Sequence, residues 1–360
     1  MPKRATIGDI ARRVGVSKAA VSYALNGQPG VGAQTRARVL ATAQEMGWYA
    51  SSSARALSGA ETGFIGLTLG RSPELLAIEP YFMRFLSGVE SALAEQNVSL
   101  VFRVTGENPE AEIQTYRRWW GERRIDGVIL LDERYRDIRI AALEQIGLPA
   151  VLCGGPRPGS TLPCLWTDQA ADAAEVVNHL AALGHRRIAH VSGPRHFMHE
   201  RQRRRAVRSA ARLGGLGEVT TVEAEYTGPG AGEIARRLLG DAEPPTAIIY
   251  GSDVMATAGL GAALELGVRV PEQLSIVSWD DSQLTTLVHP PLTALSRDVP
   301  GYGALAARTL LDLLGGRHRG QIQQPVAKLV VRESTGPAPR RTRRRAAPPA
   351  GVPRSLRTGH

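Results

Sequence analysis

The stretch DIARRVGVSKAAVSYALNG, residues 9–27, has the pattern of two short amphipathic helices joined at Gly15. Before this glycine, apolar residues recur at the spacing of one helix face, and a capping-box pattern begins at Thr6. After it, Ser17 is a suitable N-cap for a second helix with small apolar residues on one side and polar residues on the other. A third helical pattern follows over about 33–46. The N-terminal segment therefore predicts an all-α, three-helix helix-turn-helix unit within residues 1–50.

Basic residues are concentrated at the two ends of the chain. The 360 residues carry a net charge of +10, with +6 in residues 1–60, +7 in residues 337–360 and −3 in the segment between them. A basic end module beside a mildly acidic body indicates contact with a polyanion. The Arg- and Pro-rich segment 337–360 lacks apolar periodicity, so we expect it to be disordered. It either adds sequence-independent attraction to phosphates or is simply a solvated end.

The composition excludes several classes of protein. No apolar run reaches the roughly 20 residues of a membrane helix, and the N-terminal residues lack the apolar core of a signal peptide. Only Cys153 and Cys164 occur, without a second pair of ligands nearby, which predicts reduced thiols in a cytoplasmic protein and no metal site. The sequence contains no G-x-G-x-x-G, G-x-x-x-x-G-K-[ST], G-x-S-x-G or H-E-x-x-H motif. We therefore expect neither a bound cofactor nor catalysis.

From about residue 62 the pattern changes to short apolar runs that alternate with helical stretches. This alternation is typical of parallel sheets that are covered by helices on both faces. Two such units, over about 61–166 and 167–290, predict a two-lobed α/β body. Ligands of such sheets bind beyond the carboxyl ends of the strands, so polar side chains that directly follow a strand are candidates. Those side chains are Asp168, Ser252, Asp253, Asp280 and Asp281.

Three N-terminal segments carry a resemblance to a known family. They read T-I-G-D-I-A-R-R-V-G-V-S-K-A-A-V-S-Y-A-L-N-G from Thr6, V-x-x-x-T-R-x-R-V from Val31, and S-S-S-A-R-A-L-S-G over 51–59. In order and spacing they resemble the head of LacI/GalR-type bacterial transcription regulators. The resemblance implies that the helical unit contacts DNA through Thr6, Ser17, Lys18, Ala19, Ser22, Tyr23, Asn26 and Thr35.

Within this set, the resemblance assigns the reading of bases to Lys18, Ala19 and Tyr23, and assigns the phosphates mainly to the hydroxyl and amide side chains. Tyr23 stands where the best-known members carry arginine, so their operator bases do not transfer to this chain. By composition alone, residues 51–60 would be a linker. The resemblance implies instead a hinge helix that folds on DNA and pairs with its twin in the minor groove. Its contacts would come from Leu57 as a wedge between base steps, Ala54 at the close approach and Arg55 at a phosphate.

The second half of the chain resembles the same family, whose cores look like periplasmic sugar-binding proteins. The matching signatures are LAALGHRRIAHVSGP (180–194), residues 252–281 and HPPLTAL (289–295). The resemblance divides the core, residues 61–336, into two periplasmic-binding-protein-like lobes. Lobe 1 would comprise about 61–166 plus 292–320, and lobe 2 about 167–291 plus 321–336.

The resemblance also implies an effector site between the lobes. Its residues would be Phe82, Asp168, Arg203, Ser252, Asp253, Trp279 and Asp280. Arg201 is an alternative to Arg203, because the residues around this arginine depart from the family pattern. Carboxylates and arginine can bind hydroxyl groups, and an aromatic ring can stack on the apolar face of a sugar.

Together these features predict a sequence-specific DNA-binding regulator, a repressor that binds a pseudo-palindromic operator as a homodimer. A small-molecule effector would control its affinity, with a sugar or sugar derivative as the first class and a nucleobase as the alternative. The other alternative is a solute-binding protein with the same core and no role in transcription. The residues leave open whether the effector releases or promotes DNA binding, and whether dimers assemble further.

Overall fold

The computed structural model describes residues 5–48, 61–317 and 320–339. Its N-terminal part contains three helices, α1 (Ile7–Val14), α2 (Lys18–Leu25) and α3 (Ala33–Glu45). The helices pack around a small core whose fully buried side chains are Ile10, Val21 and Val39. The predicted helix-turn-helix unit is confirmed.

Local capping explains where α1 begins and ends and where α2 begins. The Thr6 side chain accepts a hydrogen bond from the Asp9 N–H at 3.3 Å, and the Asp9 carboxylate accepts one from the Thr6 N–H at 2.9 Å. Gly15 ends α1 with a φ of 77°, a left-handed conformation that favours glycine. Ser17 then caps α2 by accepting from the Ala20 N–H at 3.1 Å. The turn between the two helices is therefore fixed by its own residues.

Each lobe of the remaining chain is built on one six-stranded sheet. The strands of lobe 1 are β1 (Phe64–Leu69), β2 (Ser99–Val104), β3 (Gly127–Leu130), β4 (Ala150–Cys153), β5 (Cys164–Trp166) and β11 (Gln321–Gln323). They lie in the order β11-β5-β4-β3-β1-β2, and every neighbouring pair is parallel.

The strands of lobe 2 are β6 (Ile188–Ser192), β7 (Thr220–Glu223), β8 (Ala247–Tyr250), β9 (Ser275–Ser278), β10 (Thr293–Ser296) and β12 (Lys328–Val330). They lie in the order β12-β10-β9-β8-β6-β7, and all pairs are parallel except the antiparallel β12 and β10. The two-lobed α/β body with parallel sheets is confirmed.

Helices cover both faces of each sheet. Lobe 1 carries α4 (Pro73–Ile78), α5 (Pro80–Ala94), α6 (Pro109–Gly121), α7 (Ile138–Ile146) and α13 (Val299–Leu314). Lobe 2 carries α8 (Gln169–Ala182), α9 (Met198–Leu213), α10 (Gly228–Gly240), α11 (Asp253–Glu265) and α12 (Gln283–Leu287). Two apolar clusters in each lobe fill the space between sheet and helices. No helix within the described ranges is long and apolar enough to cross a bilayer.

The chain crosses between the lobes three times, and two crossings differ from the expected division. β10 pairs with β9 and β12, so residues 293–296 belong to lobe 2 rather than lobe 1. β11 pairs with β5, so residues 321–323 belong to lobe 1 rather than lobe 2. The crossings therefore follow β5, β10 and β11. Strands of three or four residues carry too little periodicity to be assigned to a sheet from sequence.

The pair formed by α5 and α13 shows how closely lobe 1 is packed. A Cβ added to Gly88 in α5 would overlap the Pro300 carbonyl oxygen, and one added to Gly303 in α13 would overlap the Phe85 carbonyl oxygen. Glycine at both positions therefore lets the two helix backbones touch. This contact holds both helices over the same face of the sheet.

Gly88→Ala should lower the free energy of unfolding by about 1–3 kcal/mol, because the added methyl group has no room beside the Pro300 carbonyl. Gly261→Ala is the matched control, since Gly261 lies within α11 and a Cβ there meets nothing within 4 Å. That control should be neutral or stabilising by up to about 1 kcal/mol. Thermal or urea unfolding measures the difference. Equal stabilities of the two variants would contradict the close packing of α5 and α13.

Candidate functional site

One face of α2 is exposed and polar, whereas the other packs into the three-helix core. Val21 and Ala24 are buried, while Lys18, Ala19 and Tyr23 are exposed. Lys18 supplies the positive charge of α2, and this helix contains no acid. A convex helix face with a cation, an aromatic hydroxyl and small side chains is suited to the major groove of DNA.

The other polar residues of the predicted DNA-binding set surround this face. Asn26 is exposed and donates to the Ser22 hydroxyl at 3.4 Å. Ser17 uses its oxygen as the cap of α2, which leaves its hydroxyl hydrogen for a phosphate oxygen. Thr35 is half-buried in the first turn of α3. The predicted hinge contacts lie outside the described residues, namely Ala54, Arg55 and Leu57.

A cavity of about 990 Å³ lies between the two lobes. It is bounded by the carboxyl ends of strands from both sheets, where folds of this kind bind their ligands. Four residues of the predicted effector site line it: Phe82 in α5, Asp168 before α8, Arg203 in α9 and Asp280 after β9. Their contact with an effector stays a prediction.

The other three residues of the predicted effector site lie away from this cavity. Ser252 is buried and caps α11 by accepting a hydrogen bond at 3.3 Å from a backbone N–H of its first turn. Asp253 borders a small recess beside the cavity, which it shares with Asp280. Trp279 is fully buried in the lobe 2 core, where its ring lies 5.1 Å from the Arg203 guanidinium. Neighbouring side chains at a strand end point to opposite sides, so Asp280 faces the cavity while Trp279 faces the core.

Arg203 is held firmly at the lobe 2 wall of the cavity. Its Nη1 donates to the Glu200 carboxylate at 2.9 Å, and its Nε donates to the Gln169 side chain at 3.1 Å. The alternative, Arg201, instead places its guanidinium 3.9 Å from the centroid of the Tyr135 ring. The structure therefore favours Arg203 as the arginine of the cleft.

Sequence reasoning missed most of the lobe 1 side of the cleft. Arg71 follows β1 and Asp132 follows β3, and the Arg71 Nε donates to the Asp132 carboxylate at 2.7 Å. Glu79 also lines the cavity, as does Tyr226 of lobe 2. Asp132 and Tyr226 have φ angles of 55° and 59°, which are uncommon for residues other than glycine. The rule that found the lobe 2 residues, polar side chains after strands, would also have found Arg71 and Asp132.

Burial changes the acid–base properties of the cleft. It raises the pKa of Glu79 to about 8, although Arg71 opposes the shift, and Asp280 adds to it. Burial and Asp280 also raise the pKa of Asp253 to about 6. Burial, assisted by Arg203, holds the pKa of His199 well below its ordinary value. At neutral pH, Glu79 is therefore mostly protonated and His199 is uncharged.

Both parts of the chain match models of known protein families. Residues 6–51 match the family model for bacterial regulatory proteins of the lacI family, and residues 177–335 match that for a periplasmic binding protein-like domain. The HTH-type transcriptional regulator reg1 of Streptomyces lividans is 35% identical over 350 residues, which cover 92% of this chain and 97% of that protein. The regulator MalR of Streptomyces coelicolor shows the same identity and coverage.

Solved structures agree with these similarities. The Lac repressor dimer bound to operator and the anti-inducer ONPF is 25% identical and has a TM-score of 0.81, covering 93% of this chain and 100% of that one. A complex of the transcriptional regulator CelR with cellobiose is 26% identical and has a TM-score of 0.70, covering 92% and 100%.

The helix-turn-helix unit and the two-lobed core define a DNA-binding transcription regulator with a periplasmic-binding-protein-like domain. The chain belongs to the lacI family of bacterial regulatory proteins. The relatives named above are transcriptional regulators rather than enzymes.

Tyr23→Ala should relax base preference in the bound DNA, because it removes the largest side chain on the exposed face of α2. We expect the difference in binding free energy between preferred and substituted DNA sites to be about 1–3 kcal/mol smaller for this variant than for the unchanged protein. Ser22→Ala, one position earlier, should weaken binding to all sites by similar factors. Affinities for a panel of single-base variants of the selected operator measure both effects. Uniform losses across the panel for both variants would contradict the assignment of Tyr23 to bases.

Proposed function

We propose that this chain represses transcription by binding a pseudo-palindromic operator as a homodimer, and that a saccharide in the inter-lobe cleft controls its affinity. The observation that carries the proposal is the combination, in one chain, of an exposed polar helix face and a large cavity between two lobes. One recognition helix reads only a few base pairs, so two heads related by a two-fold axis are needed for a specific site.

The charges around the cavity favour an uncharged effector. Arg203 is paired with Glu200 at 2.9 Å, and Arg297 is paired with Asp172 at 3.2 Å. The lining also contains the exposed cations Arg205 and Lys328, but the carboxylates of Asp168, Asp280 and Asp298 outnumber them, so no excess of positive charge is available to balance a phosphate. Five aromatic side chains line the same space, namely Tyr81, Phe82, Trp166, Tyr226 and Tyr302. Of these, Tyr81, Trp166 and Tyr302 could stack on sugar rings.

The size of the cavity favours more than one sugar ring. About 990 Å³ lies at the upper end of the range of roughly 300–1,000 Å³ that is usual for small-molecule sites. Among the relatives, CelR has been solved in complex with cellobiose. A neutral disaccharide or larger saccharide is therefore the effector class that we propose for this chain.

An exposed apolar patch supports the proposed dimer. Met83 in α5 and Leu287 in α12 are 58% and 77% exposed, and Ile78 at the end of α4 is exposed as well. The two lobes adjoin here, since the Arg84 Nη1 donates to the Asp281 carbonyl oxygen at 2.6 Å. Apolar side chains in such a position are typical of a contact between subunits. We infer that this patch, Ile78, Met83 and Leu287, meets its counterpart in a second copy of the chain.

The segment between the DNA-binding unit and the core would transmit the signal. In the proposed mechanism, effector binding changes the angle between the lobes and so the spacing of the two hinge segments, residues 51–60. Correct spacing lets Leu57 of each copy enter the minor groove, with Ala54 and Arg55 at the backbone. The effector can act only through its different affinity for the two lobe arrangements.

Selection of bound sequences from a random DNA pool tests the proposed regulator function. The purified full-length protein should enrich a pseudo-palindrome with a flexible central step, because paired heads and a wedging Leu57 require both. The selection is repeated with neutral disaccharides, and the concentration of bound operator should change in the presence of one of them. No enriched motif with or without saccharide would overturn the proposed function.

Leu287→Asp should dissociate the dimer, because it places a charge within the proposed apolar contact between subunits. We expect the dimer dissociation constant to rise at least about tenfold and operator affinity to fall with it. Leu213→Asp is the matched control, since Leu213 is 87% exposed at the end of α9. Sedimentation of the three proteins measures the association. A dimer that persists in Leu287→Asp would place the subunit interface elsewhere.

A further inference from the structure

Arg71 is a buried arginine that uses little of its hydrogen-bonding capacity. Its side chain is 2% exposed and lines the cavity, and its Nε donates to the Asp132 carboxylate at 2.7 Å. Neither of its Nη nitrogens has a hydrogen-bond partner among the described residues. Buried donors without partners cost free energy, so unused donors at a cavity wall indicate a position where a ligand binds.

Lobe 2 surrounds this guanidinium with aromatic rings. The Arg71 guanidinium carbon lies 3.8 Å from the ring centroid of Phe197 and 4.9 Å from that of Tyr226. The Tyr226 hydroxyl donates to the buried Glu200 carboxylate at 2.5 Å, which fixes its ring. A cation close to aromatic faces gains free energy when it is desolvated. Arg71 therefore lies in the lobe 1 part of the sequence, and its guanidinium group contacts the aromatic rings of lobe 2.

Residues 71–79 form a segment that reaches from lobe 1 to lobe 2. The segment contains α4, which Ser72 caps by accepting from the Leu75 N–H at 3.3 Å. Leu75 is buried in the lobe 2 apolar cluster together with Phe197 and Tyr226. The apolar middle of the segment is therefore anchored in lobe 2, while its two polar ends lie at the cavity.

Glu79 is the second polar end of this segment. Its side chain is 6% exposed and lines the cavity, and its Oε2 has no hydrogen-bond partner among the described residues. As a protonated carboxyl group it can both donate and accept hydrogen bonds. Arg71 offers donors, so the two ends together match a group that carries both kinds of hydrogen-bonding atom.

We propose that Arg71 and Glu79 form a specificity-determining subsite for the hydroxyl groups of an uncharged polyol ring, and that the bound ring holds Arg71 against the lobe 2 aromatic side chains. This inference rests on the proposed effector function. Hydroxyl and ring oxygens would accept from Arg71, and a neighbouring hydroxyl would pair with Glu79. A phosphate is disfavoured, because Asp132 already neutralises Arg71 and Asp280 adds negative charge nearby. Recognition and lobe closure would thus share one side chain.

Calorimetric titration of the full-length protein tests the subsite. The probes are maltose, cellobiose, glucose 6-phosphate and adenosine, which separate neutral saccharide, anionic sugar and nucleoside. The neutral saccharide that binds best is then titrated into Arg71→Lys, Arg71→Met and Glu79→Gln. The control is Arg236→Gln, which removes an exposed ion pair with Glu265 on the surface of lobe 2.

We expect Arg71→Met to weaken saccharide binding by about 10- to 100-fold, because donors of a charged group are lost, and Arg71→Lys to weaken it less. Arg236→Gln should bind as the unchanged protein does. Single hydroxyl groups are then removed from the saccharide. The resulting loss of affinity should be larger for the unchanged protein than for Arg71→Met, because that variant already lacks one of the hydrogen bonds. This comparison separates a direct contact from a general effect on folding, and Arg71→Lys replaces Arg71→Met if the latter does not fold.

The pH dependence gives a second readout. Above about pH 8 the Glu79 carboxyl group ionises, and it then faces the carboxylates of Asp132, Asp253 and Asp280 with Arg71 as the opposing cation. Saccharide affinity of the unchanged protein should therefore fall as the pH rises through 8. Glu79→Gln does not titrate, so its affinity should stay level over this range.

Three results would overturn the subsite. The first is equal saccharide affinity of Arg71→Met and Arg236→Gln. The second is a pH dependence of saccharide affinity that is the same in Glu79→Gln as in the unchanged protein. The third is that neither neutral saccharide binds, or that both bind more weakly than glucose 6-phosphate or adenosine. The DNA selection without added saccharide does not depend on Arg71 or Glu79. An enriched palindrome would therefore leave the regulator function standing when the subsite fails.

Discussion

The buried carboxylate of Glu112 is the constraint on which the geometry of the cleft depends. It accepts from the Arg134 Nη1 at 2.6 Å and from the Arg139 Nη1 at 2.8 Å, and all three side chains are buried. Arg139 also donates to the Asp132 carbonyl oxygen at 2.8 Å, so the loop after β3 is tied to α6 and α7. The same loop presents the carboxylate that holds Arg71. A buried ionic network fixes one arrangement, because removal of any member leaves the others without compensation.

Two different kinds of connection join the lobes. The first kind consists of the three covalent crossings, which follow β5, β10 and β11. The other kind is formed by non-covalent contacts of the loop after β3. The Tyr135 N–H donates to the His196 carbonyl oxygen at 2.8 Å, and the Met198 N–H donates to the Glu133 carbonyl oxygen at 2.8 Å. Non-covalent contacts can separate while the crossings act as hinges, and this is the freedom that the proposed control of the lobe angle requires.

The helix-turn-helix unit could be predicted almost completely, because its caps and apolar spacing are local and Thr6, Gly15 and Ser17 each act within a few residues. The alternation of strands and helices likewise predicted two lobes. The sequence did not reveal to which lobe β10 and β11 belong, because strands of three or four residues are assigned to a sheet only by the strands with which they pair. Arg71 and Asp132 each follow a strand and could have been found by the rule applied to lobe 2, whereas their ion pair joins residues distant in sequence and could not. Trp279 was assigned to the cleft by the family resemblance, and the structure places its side chain in the lobe 2 core.

The contact between Arg84 and the Asp281 carbonyl oxygen joins the two lobes on their outer surface. The apolar patch that we propose as the dimer contact consists of Ile78 and Met83 from lobe 1 and Leu287 from lobe 2. A surface assembled from two lobes is complete at only one angle between them. In the proposed dimer, a second copy of the chain that binds this patch would therefore favour one angle between the lobes without contacting the cavity.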